Sequence, residues 1–183
     1  MVSLRFPKSY ADCVARLRVP CGFLIAAAFA WMARPSRLSL AAGLPLMVAG
    51  MALRTWAAGH LAKNERLATS GPYAYTRNPL YLGTLLVAAG LALACRRLWP
   101  ALLLAAFFLL VYLPVIGLEE QHLRKLFTEY ADYARRVPRL WPRWRGARGP
   151  EHFSWKLYWR NREYQALLGW LAGLLWLLWK ARS

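Results

Sequence analysis

The chain has 183 residues, of which 58% are hydrophobic, and it carries a formal net charge of +17. The length suits one domain, and the apolar fraction exceeds the roughly 45–50% of a soluble globular domain. A strongly basic chain with several apolar runs of near-membrane length is typical of a membrane protein and disfavours a nucleic-acid-binding protein. We therefore expect one membrane domain over residues 1–183, an all-α, multi-span integral membrane helical bundle with about five transmembrane helices.

The cysteines do not form a pattern that indicates a disulfide framework or a metal site. Cys13, Cys21 and Cys95 are odd in number and lie far apart. Both kinds of site need paired spacings, whereas a lone cysteine behaves as a small apolar residue. We interpret the three as packing residues and expect no bound metal.

Apolar segments separated by breaks are the candidate membrane spans. The first follows a basic N-terminus, in which residues 10–17 are compatible with a short helix at the membrane interface. This region resembles a signal peptide, but the further spans favour an uncleaved helix. Gly43 and Gly50 in the second span permit close helix packing in lipid. The predicted spans cover residues 19–32, 38–58, 79–95, 98–118 and 164–179.

Arg54 lies near the inner end of the second predicted span. A charged side chain at this depth often extends to the lipid headgroups, and we favour that interpretation. The alternative is a role in a pocket between the spans.

The stretch from Glu119 to Arg136 is predicted to form one amphipathic helix at the membrane surface. Pro138 ends it. Residues 134–163, which mix Arg with Trp and Tyr, are interpreted as a basic aromatic loop on the headgroups, where both residue types are favourable. The apolar residues of the predicted helix recur at helical spacing and are Leu123, Leu126, Phe127 and Tyr130.

The distribution of basic residues predicts the orientation. The N-terminus and the loops on its side of the membrane carry most of the 25 Lys and Arg residues, and basic loops tend to remain in the cytoplasm. We therefore expect a multi-pass protein of the cell inner membrane with its N-terminus inside. Two segments with candidate chemistry, residues 59–82 and 119–163, then lie together on the cytoplasmic side.

Residues 71–83 read GPYAYTRNPLYLG and lead into the third predicted span. Asn78 is a favourable N-cap and Pro79 a favourable first helical residue. The segment is thus sufficiently explained as the start of a membrane helix, with Tyr81 in the interfacial aromatic belt.

A functional interpretation of the same helix start is also open. Its free N–H groups would favour a ligand carboxylate, and Arg77 would add a charge-assisted hydrogen bond. Gly83, one turn into the helix, would leave room for a flat ligand to contact the backbone.

Glu119 and Glu120 form the only adjacent acidic pair in the chain. One interpretation is an exposed helix turn in which Glu120 pairs with Arg124 at i,i+4 spacing. The other is a ligand site, in which a carboxylate binds ribose hydroxyls, an amino group or a sulfonium cation. His122 would share a helix face with Glu119.

Short motifs follow one another in order across residues 65–140. A turn with Gly-x-Tyr precedes Arg-Asn-Pro-x-Tyr-x-Gly, a helical hairpin, Glu-Glu, Tyr-x-x-Tyr and Val-Pro-Arg. This order resembles the isoprenylcysteine carboxyl methyltransferase and phospholipid N-methyltransferase superfamily, integral membrane enzymes that use S-adenosylmethionine. The matching residues are Leu67, Thr69, Ser70, Gly71, Tyr73, Arg77, Asn78, Pro79, Tyr81, Gly83, Glu119, Glu120, Phe127, Tyr130, Tyr133, Val137, Pro138 and Arg139.

The resemblance implies a cofactor-binding core over residues 59–140 and S-adenosylmethionine as cofactor. It implies no covalent nucleophile, and positioning roles for Arg77, Glu119 and Glu120. The chain departs from the usual pattern with Asn78 and Glu65 at positions that often hold His, and with Val115 where the prenylcysteine enzymes carry Arg. The residues implied to line the cofactor pocket are Glu65, Leu67, Thr69, Gly71, Tyr73, Asn78, Pro79, Tyr81, Glu119 and Glu120.

The predicted function is transfer of a methyl group from S-adenosylmethionine to a lipophilic or membrane-embedded acceptor, a carboxylate or an amine. The expected partners are membrane lipids and a lipophilic or lipidated acceptor, not nucleic acid. One alternative is an NADPH-dependent membrane ene reductase of the sterol reductase type, which looks similar in its membrane half. Another is a non-catalytic membrane protein that binds anionic lipids through residues 135–162.

Overall fold

The computed structural model describes residues 7–143 and 152–182, and within these ranges it is helical, with no strand. A 3-10 turn, Gly71–Ala74, lies in the connection between the second and third helices. The helices are α1 (Lys8–Met32), α2 (Arg37–Ala58), α3 (Pro79–Cys95), α4 (Leu98–Phe107), α5 (Leu113–Leu126), α6 (Tyr130–Arg136), α7 (Trp155–Arg160) and α8 (Glu163–Lys180).

Three helical segments are long and apolar enough to cross a membrane. They are residues 12–32 of α1, all of α2, and residues 98–126, in which α4 and α5 are joined through a π-helical segment, Phe108–Tyr112. The apolar helix α3 is shorter. The all-helical membrane architecture is confirmed, whereas the predicted number of about five spans stays a prediction.

Two predicted boundaries are wrong. Residues 10–17 do not form a separate interfacial helix, because α1 is continuous from Lys8 and includes Pro20. The amphipathic stretch after Glu119 is not one helix: its first part continues α5, and the backbone becomes extended at Phe127 before α6 begins. The apolar spacing of Phe127 satisfies a helix pattern, but the extended residue turns α6 back towards the end of the bundle.

Glycines bring α2 and α3 into backbone contact. A Cβ on Gly50 would lie 2.5 Å from the carbonyl oxygen of Gly83, and a Cβ on Gly90 would lie 2.6 Å from that of Gly43. The pairs lie seven residues apart on each helix, two turns, so the antiparallel helices meet along one stripe. Gly83 therefore serves helix packing. The side chain of Arg54 fills the space beside it, so the predicted room for a flat ligand at Gly83 is not present.

A compact apolar core lies at the end of the bundle that carries the α1–α2 and α3–α4 connections, here called the turn end. Two polar contacts hold the connections together. The N–H of Arg34 donates to the carbonyl of Cys95, and the hydroxyl of Ser39 donates to the carbonyl of Ala94. The buried residues of this core are Phe29, Ala33, Leu40, Met47, Ala94, Cys95 and Leu177.

The opposite end, here called the site end, is covered by residues 59–78, α6 and α7. The hydroxyl of Tyr133 donates to the carbonyl of Tyr73 at 2.8 Å, and the N–H of Ser154 donates to the carbonyl of Gly59 at 2.9 Å. The predicted loop over residues 134–163 contains α7 and the last turn of α6; its residues 144–151 lie outside the described ranges.

Candidate functional site

Glu120 is the centre of a buried polar cluster at the site end. Its side chain is 5% exposed. One carboxylate oxygen accepts hydrogen bonds from Nε of Arg139 at 3.1 Å and from Nη2 at 2.7 Å. The other accepts from Nδ2 of Asn78 at 3.3 Å and lies 3.3 Å from Nη1 of Arg77. A carboxylate is tolerated at such burial only when it is paired and hydrogen-bonded.

Asn78 stands at the N-cap position as predicted, but its side chain does not cap α3. The side chain makes no capping hydrogen bond, and its amide donates to Glu120 and, at 3.0 Å, to the carbonyl of Arg139. Pro79 is the first helical residue, as predicted. Proline at this position leaves one fewer N–H without a partner at the helix start, and the Asn78 side chain bonds to the cluster in place of the helix.

The segment before α3 is attached to the segment after α6 through its backbone. The N–H of Arg77 donates to the carbonyl of Pro138 at 2.9 Å, and the hydroxyl of Thr76 donates to the carbonyl of Arg139 at 3.2 Å. The same carbonyl of Arg139 accepts from Asn78. Two stretches about sixty residues apart are thereby held in one geometry, which orients the Arg139 guanidinium towards α5.

Charge and burial shift the pKa values of groups in this cluster. The hydrogen bonds to Glu120 raise the pKa of the Arg139 guanidinium above its usual value. Burial, and then the Glu120 carboxylate, raise the pKa of the Tyr130 phenol. Burial likewise raises the pKa of Tyr133. One carboxylate thus faces two permanently charged guanidinium groups, so the cluster carries surplus positive charge.

The two adjacent acids have different environments. Glu119 is 46% exposed at its side chain, accepts a hydrogen bond from the Tyr81 hydroxyl at 2.8 Å and lies 3.8 Å from Nη1 of Arg18. Glu120 points inward, so the interpretation of an exposed Glu120–Arg124 pair is wrong; Arg124 lies over the Tyr130 ring instead. Of the acidic pair, Glu119 is the residue with carboxylate surface open to a ligand.

The loop over residues 59–70 packs beside the same end of α5. Nε2 of His122 lies 3.3 Å from Oδ1 of Asn64, one helical turn from Glu119. Glu65, one of the residues implied to line the cofactor pocket, forms two hydrogen bonds with Arg160 of α7 at 2.7 and 3.1 Å.

The other implied pocket residues of this connection differ in accessibility. Leu67 is half-buried, Thr69 is exposed and Tyr73 is buried. Gly71 has a positive φ of 56°, and a Cβ there would collide with the ring of His60. The structure therefore brings Asn78 and Arg77 into contact with Glu120, and Tyr81 into contact with Glu119. The residues of this connection lie beside these contacts and do not take part in them.

A second feature is a cavity of about 510 Å³ between α1, α2, α3, α8 and residues 98–126. These last residues form one continuous helical segment from α4 to α5, here called the α4–α5 rod. The walls of the cavity are almost entirely apolar; Arg54, Thr84 and Tyr112 are its main polar side chains. The volume is within the range of small-molecule sites, about 300–1,000 Å³.

Arg54 does not extend to the headgroups, so the favoured interpretation of this residue is wrong and the pocket alternative holds. Its Nε donates to Glu163 of α8 at 2.6 Å, and its guanidinium also donates to the hydroxyl of Thr84. Glu163 is 8% exposed at its side chain. A buried acid at the start of the last helix neutralises the arginine, which removes the need to reach water.

Aromatic rings connect the cavity to the acidic pair. Tyr112, which lines the cavity, packs edge-to-face on Tyr81 with ring centroids 5.6 Å apart. The Tyr81 hydroxyl in turn donates to Glu119. Tyr112 ends the π-helical segment, and such segments are frequent at functional sites because they redirect side chains.

Sequence reasoning missed several of these residues. Arg139 belongs to a motif of the family resemblance, which does not indicate its pairing with Glu120. Glu163 is the last residue of the predicted basic aromatic loop, and Tyr112 lies within the fourth predicted span. A lone acid at the start of an apolar helix was a usable signal for Glu163, since such a charge needs a partner. No local pattern marks Tyr112, which is one aromatic residue among many.

Comparison with known proteins identifies the core. The family model described as phospholipid methyltransferase matches residues 38–130, which include α2, α3, the α4–α5 rod and the acidic pair. No solved structure matches the chain significantly.

Two curated relatives are similar over 92 residues. The cobalt-zinc-cadmium resistance protein CzcN of Cupriavidus metallidurans is 42% identical, and the nickel-cobalt-cadmium resistance protein NccN of Alcaligenes xylosoxydans xylosoxydans is 38% identical. Each alignment covers 49% of this chain and 43% of the relative. Within residues 7–143 and 152–182, no group of three or more His, Cys, Asp or Glu residues is placed to hold a metal ion.

The family match supports the methyltransferase interpretation and gives no support to the ene reductase alternative. It includes Arg77, Asn78 and Glu120 and the part of the cavity wall that α2, α3 and residues 98–126 form, whereas Arg139 lies beyond its end. This chain is an integral membrane protein that belongs to the phospholipid methyltransferase family.

Proposed function

We propose that the protein transfers a methyl group from S-adenosylmethionine to a lipophilic acceptor that carries a carboxylate or an amine. The proposal rests on one observation: the polar cluster around Glu120 and the accessible Glu119 lies next to the apolar cavity of the bundle. Tyr81 and Tyr112 link the two, because Tyr81 bonds to Glu119 and packs on Tyr112, which lines the cavity. The cluster has the chemistry for a polar cofactor, and the cavity has the chemistry for an apolar acceptor.

The groups of the site end fit S-adenosylmethionine. The cofactor carries an amino-acid end, ribose hydroxyls and a sulfonium cation. Among the described residues, Nε of Arg77 is a buried donor without a hydrogen-bond partner, and the surplus positive charge beside it favours the cofactor carboxylate. The open carboxylate of Glu119 suits a ribose hydroxyl or the ammonium group. When bound, the cofactor supplies an electrophilic methyl group.

The remaining implied residues have supporting roles in this proposal. Asn78 and Glu120 hold Arg77 and Arg139 in place, and Tyr81 orients Glu119 through its hydroxyl. Glu65, Leu67, Thr69, Gly71 and Tyr73 belong to the wall beside the site. Since no covalent nucleophile is required for methyl transfer, positioning of the two reactants is the main demand on the protein.

The cavity fits the apolar part of an acceptor. Phe29, Met47 and Leu177 contribute to its wall from three different helices. Nε1 of Trp170, which also lines it, is a buried donor with no partner among the described residues. A hydrogen-bond acceptor on the ligand would satisfy this group, and burial of the ligand's alkyl part would contribute about 0.8 kcal/mol per CH₂.

Calorimetry of the purified protein in detergent tests the cofactor. We expect S-adenosylmethionine to bind, and Glu119→Gln to weaken it by roughly tenfold, the effect of losing one charge-assisted hydrogen bond to the cofactor. Asn78→Ala should weaken binding by a similar factor, because it removes a hydrogen bond that holds Glu120 and its arginines in position. Asp132→Asn on α6 is the matched control, because this exposed acid pairs locally with Arg135. Folded protein that does not bind the cofactor at millimolar concentration contradicts the proposal.

Transfer to lipid extracts tests the acceptor. The protein is incubated with cofactor labelled in its methyl group, and the organic phase is analysed by mass spectrometry. Ala88→Phe places a ring in the cavity and should abolish labelling while cofactor binding persists. Leu93→Phe is the control, because Leu93 is exposed on the same helix. Equal activity of both variants would exclude the cavity as the acceptor site.

We further propose that the site end faces the cytoplasm of a cell with the protein in its inner membrane. The basic loops around the site support this orientation. Labelling of whole cells with an impermeant maleimide, in a cysteine-free background, distinguishes the two ends. Arg97→Cys at the turn end should react, and Lys63→Cys at the site end should not; the reverse pattern would invert the assignment.

A further inference from the structure

Charge is distributed unevenly between the two ends of the bundle. The connections and helix terminus at the turn end carry six basic residues and no acid: Arg34, Arg37, Arg96, Arg97, Lys180 and Arg182. The eight acidic residues of the chain all lie in other segments. Among the residues that the structure describes, none of these six basic groups forms an ion pair with a carboxylate.

Three of these arginines surround one concavity. Arg34 of the α1–α2 connection and Arg96 and Arg97 of the α3–α4 connection line a cavity of about 340 Å³. Within residues 7–143 and 152–182, none of the three forms an ion pair. Guanidinium groups that line one cavity repel one another, and an anion bound between them would offset this repulsion by attracting all three.

The backbone below the arginines is held in place. The N–H of Arg34 donates to the carbonyl of Cys95 at 3.0 Å, which joins the two connections. Cys95 is fully buried, and Arg96 ends α3 in the left-handed conformation with a φ of 52°. Nζ of Lys180 donates to the carbonyls of Ala30 and Trp31, which anchors the end of α8 against α1. The three guanidinium groups therefore extend from a common frame.

The surroundings of the cavity indicate a membrane ligand. Trp31 is 84% exposed, Trp99 is 72% exposed and Leu98 is 69% exposed, all within a few residues of the arginines. Exposed tryptophans at the ends of apolar helices lie at the level of the lipid headgroups. The arginines thus lie where the phosphates of a bilayer are found, and guanidinium groups bind phosphate with two parallel hydrogen bonds.

We propose that Arg34, Arg96 and Arg97 bind the phosphate group of an anionic membrane lipid at the turn end. The lipid would link the α1–α2 connection to the α3–α4 connection from outside the bundle. This site lies at the opposite end from the Glu120 cluster and does not depend on the proposed methyl transfer.

Native mass spectrometry of the delipidated protein in neutral detergent tests the proposal. The probes are short-chain phosphatidylglycerol, short-chain phosphatidylcholine and inorganic phosphate. We expect preferential binding of phosphatidylglycerol. A variant with Arg34→Gln, Arg96→Gln and Arg97→Gln should lose about a hundredfold in affinity, since each basic residue near anionic lipid contributes about fivefold.

The matched control changes the same amount of charge at the site end, with Lys63→Gln, Lys125→Gln and Lys156→Gln. It should bind phosphatidylglycerol as the unmodified protein does. Equal losses in both triple variants would show general charge attraction and overturn the site. Binding of inorganic phosphate as tight as that of the lipid would overturn the lipid assignment, as would equal binding of phosphatidylcholine.

Folding of the triple variant is checked by its melting temperature without lipid, which should be unchanged because the three side chains are exposed. If the triple variant does not fold, Arg96→Gln alone carries the test, with an expected loss of about fivefold. An unchanged affinity of that folded single variant would contradict the proposal.

Discussion

Neutralisation of Glu120 should destabilise the protein strongly, whereas the same change at Glu119 should not. Glu120→Gln keeps the shape of the side chain and removes the charge that compensates Arg77 and Arg139. The Arg77 side chain is 10% exposed and that of Arg139 is 30% exposed. Loss of one partner of a buried ion pair costs about 3–5 kcal/mol, and the partial exposure of Arg139 favours the lower end of that range.

Glu119→Gln is the matched control, because it makes the same chemical change one residue away. Its carboxylate is 46% exposed and its charged neighbour Arg18 is 40% exposed, and pairs of that kind contribute about 0–1 kcal/mol. Thermal unfolding in detergent at one scan rate measures the difference. At about 2–4 °C per kcal/mol for a chain of this size, Glu120→Gln should melt roughly 6 °C or more below the unmodified protein.

A double variant separates the charge from the hydrogen bonds. Glu120→Gln with Arg139→Gln removes one charge of each sign, so it should be less destabilised than the sum of the two single variants. The reasoning is refuted if Glu119→Gln melts as low as Glu120→Gln, or if the two single effects at 120 and 139 simply add.

Three further predictions concern packing, ion pairing and pH. Gly90→Ala should lower the melting temperature by several degrees, because its Cβ would meet the backbone of α2, whereas Gly173→Ala, with no heavy atom within 4 Å of the added carbon, should not. Glu163→Met should destabilise the protein by about 3 kcal/mol as measured by denaturation in detergent, and Arg54→Met together with Glu163→Met should recover much of that loss. Burial raises the pKa of Tyr133 above its ordinary value of 10.0, so the folded state keeps this proton longer than the unfolded state. The stabilisation is complete below pH 10 and is lost as the pH rises through the folded pKa; melting curves should show a smaller alkaline decline for Tyr133→Phe.

Several features could be predicted from sequence because they depend on local chemistry. Apolar runs of membrane length predict helices in any membrane context, and Pro79 at the start of α3 is a local preference of the backbone. The ordered motifs from Gly71 to Arg139 indicated the family, which the match over residues 38–130 confirms. The contact of the Asn78 segment with the acidic pair followed from topology, since one helical hairpin returns the chain to the same side.

Other features depended on where the helices pack. A 3.6-residue period could not show that Phe127 leaves the helix, because the pattern counts apolar spacing and not the contacts that α6 makes with Tyr73. Nor could the sequence show that Arg54 meets Glu163, since these residues are 109 positions apart. The favoured headgroup interpretation of Arg54 considered one helix alone, whereas the ion pair needs two.

The chain by itself determined an all-helical membrane protein of this family, because hydropathy, proline and glycine act on the nearest neighbours in sequence. Only the tertiary structure decided which of the two adjacent acids is buried and which is exposed. Glu120 is buried because Arg77, Asn78 and Arg139 converge on it from two distant segments, and Glu119 remains open because the next residue on a helix points about 100° away. Identical side chains thus differ in their environment: one carboxylate is buried and paired, and the other remains largely accessible.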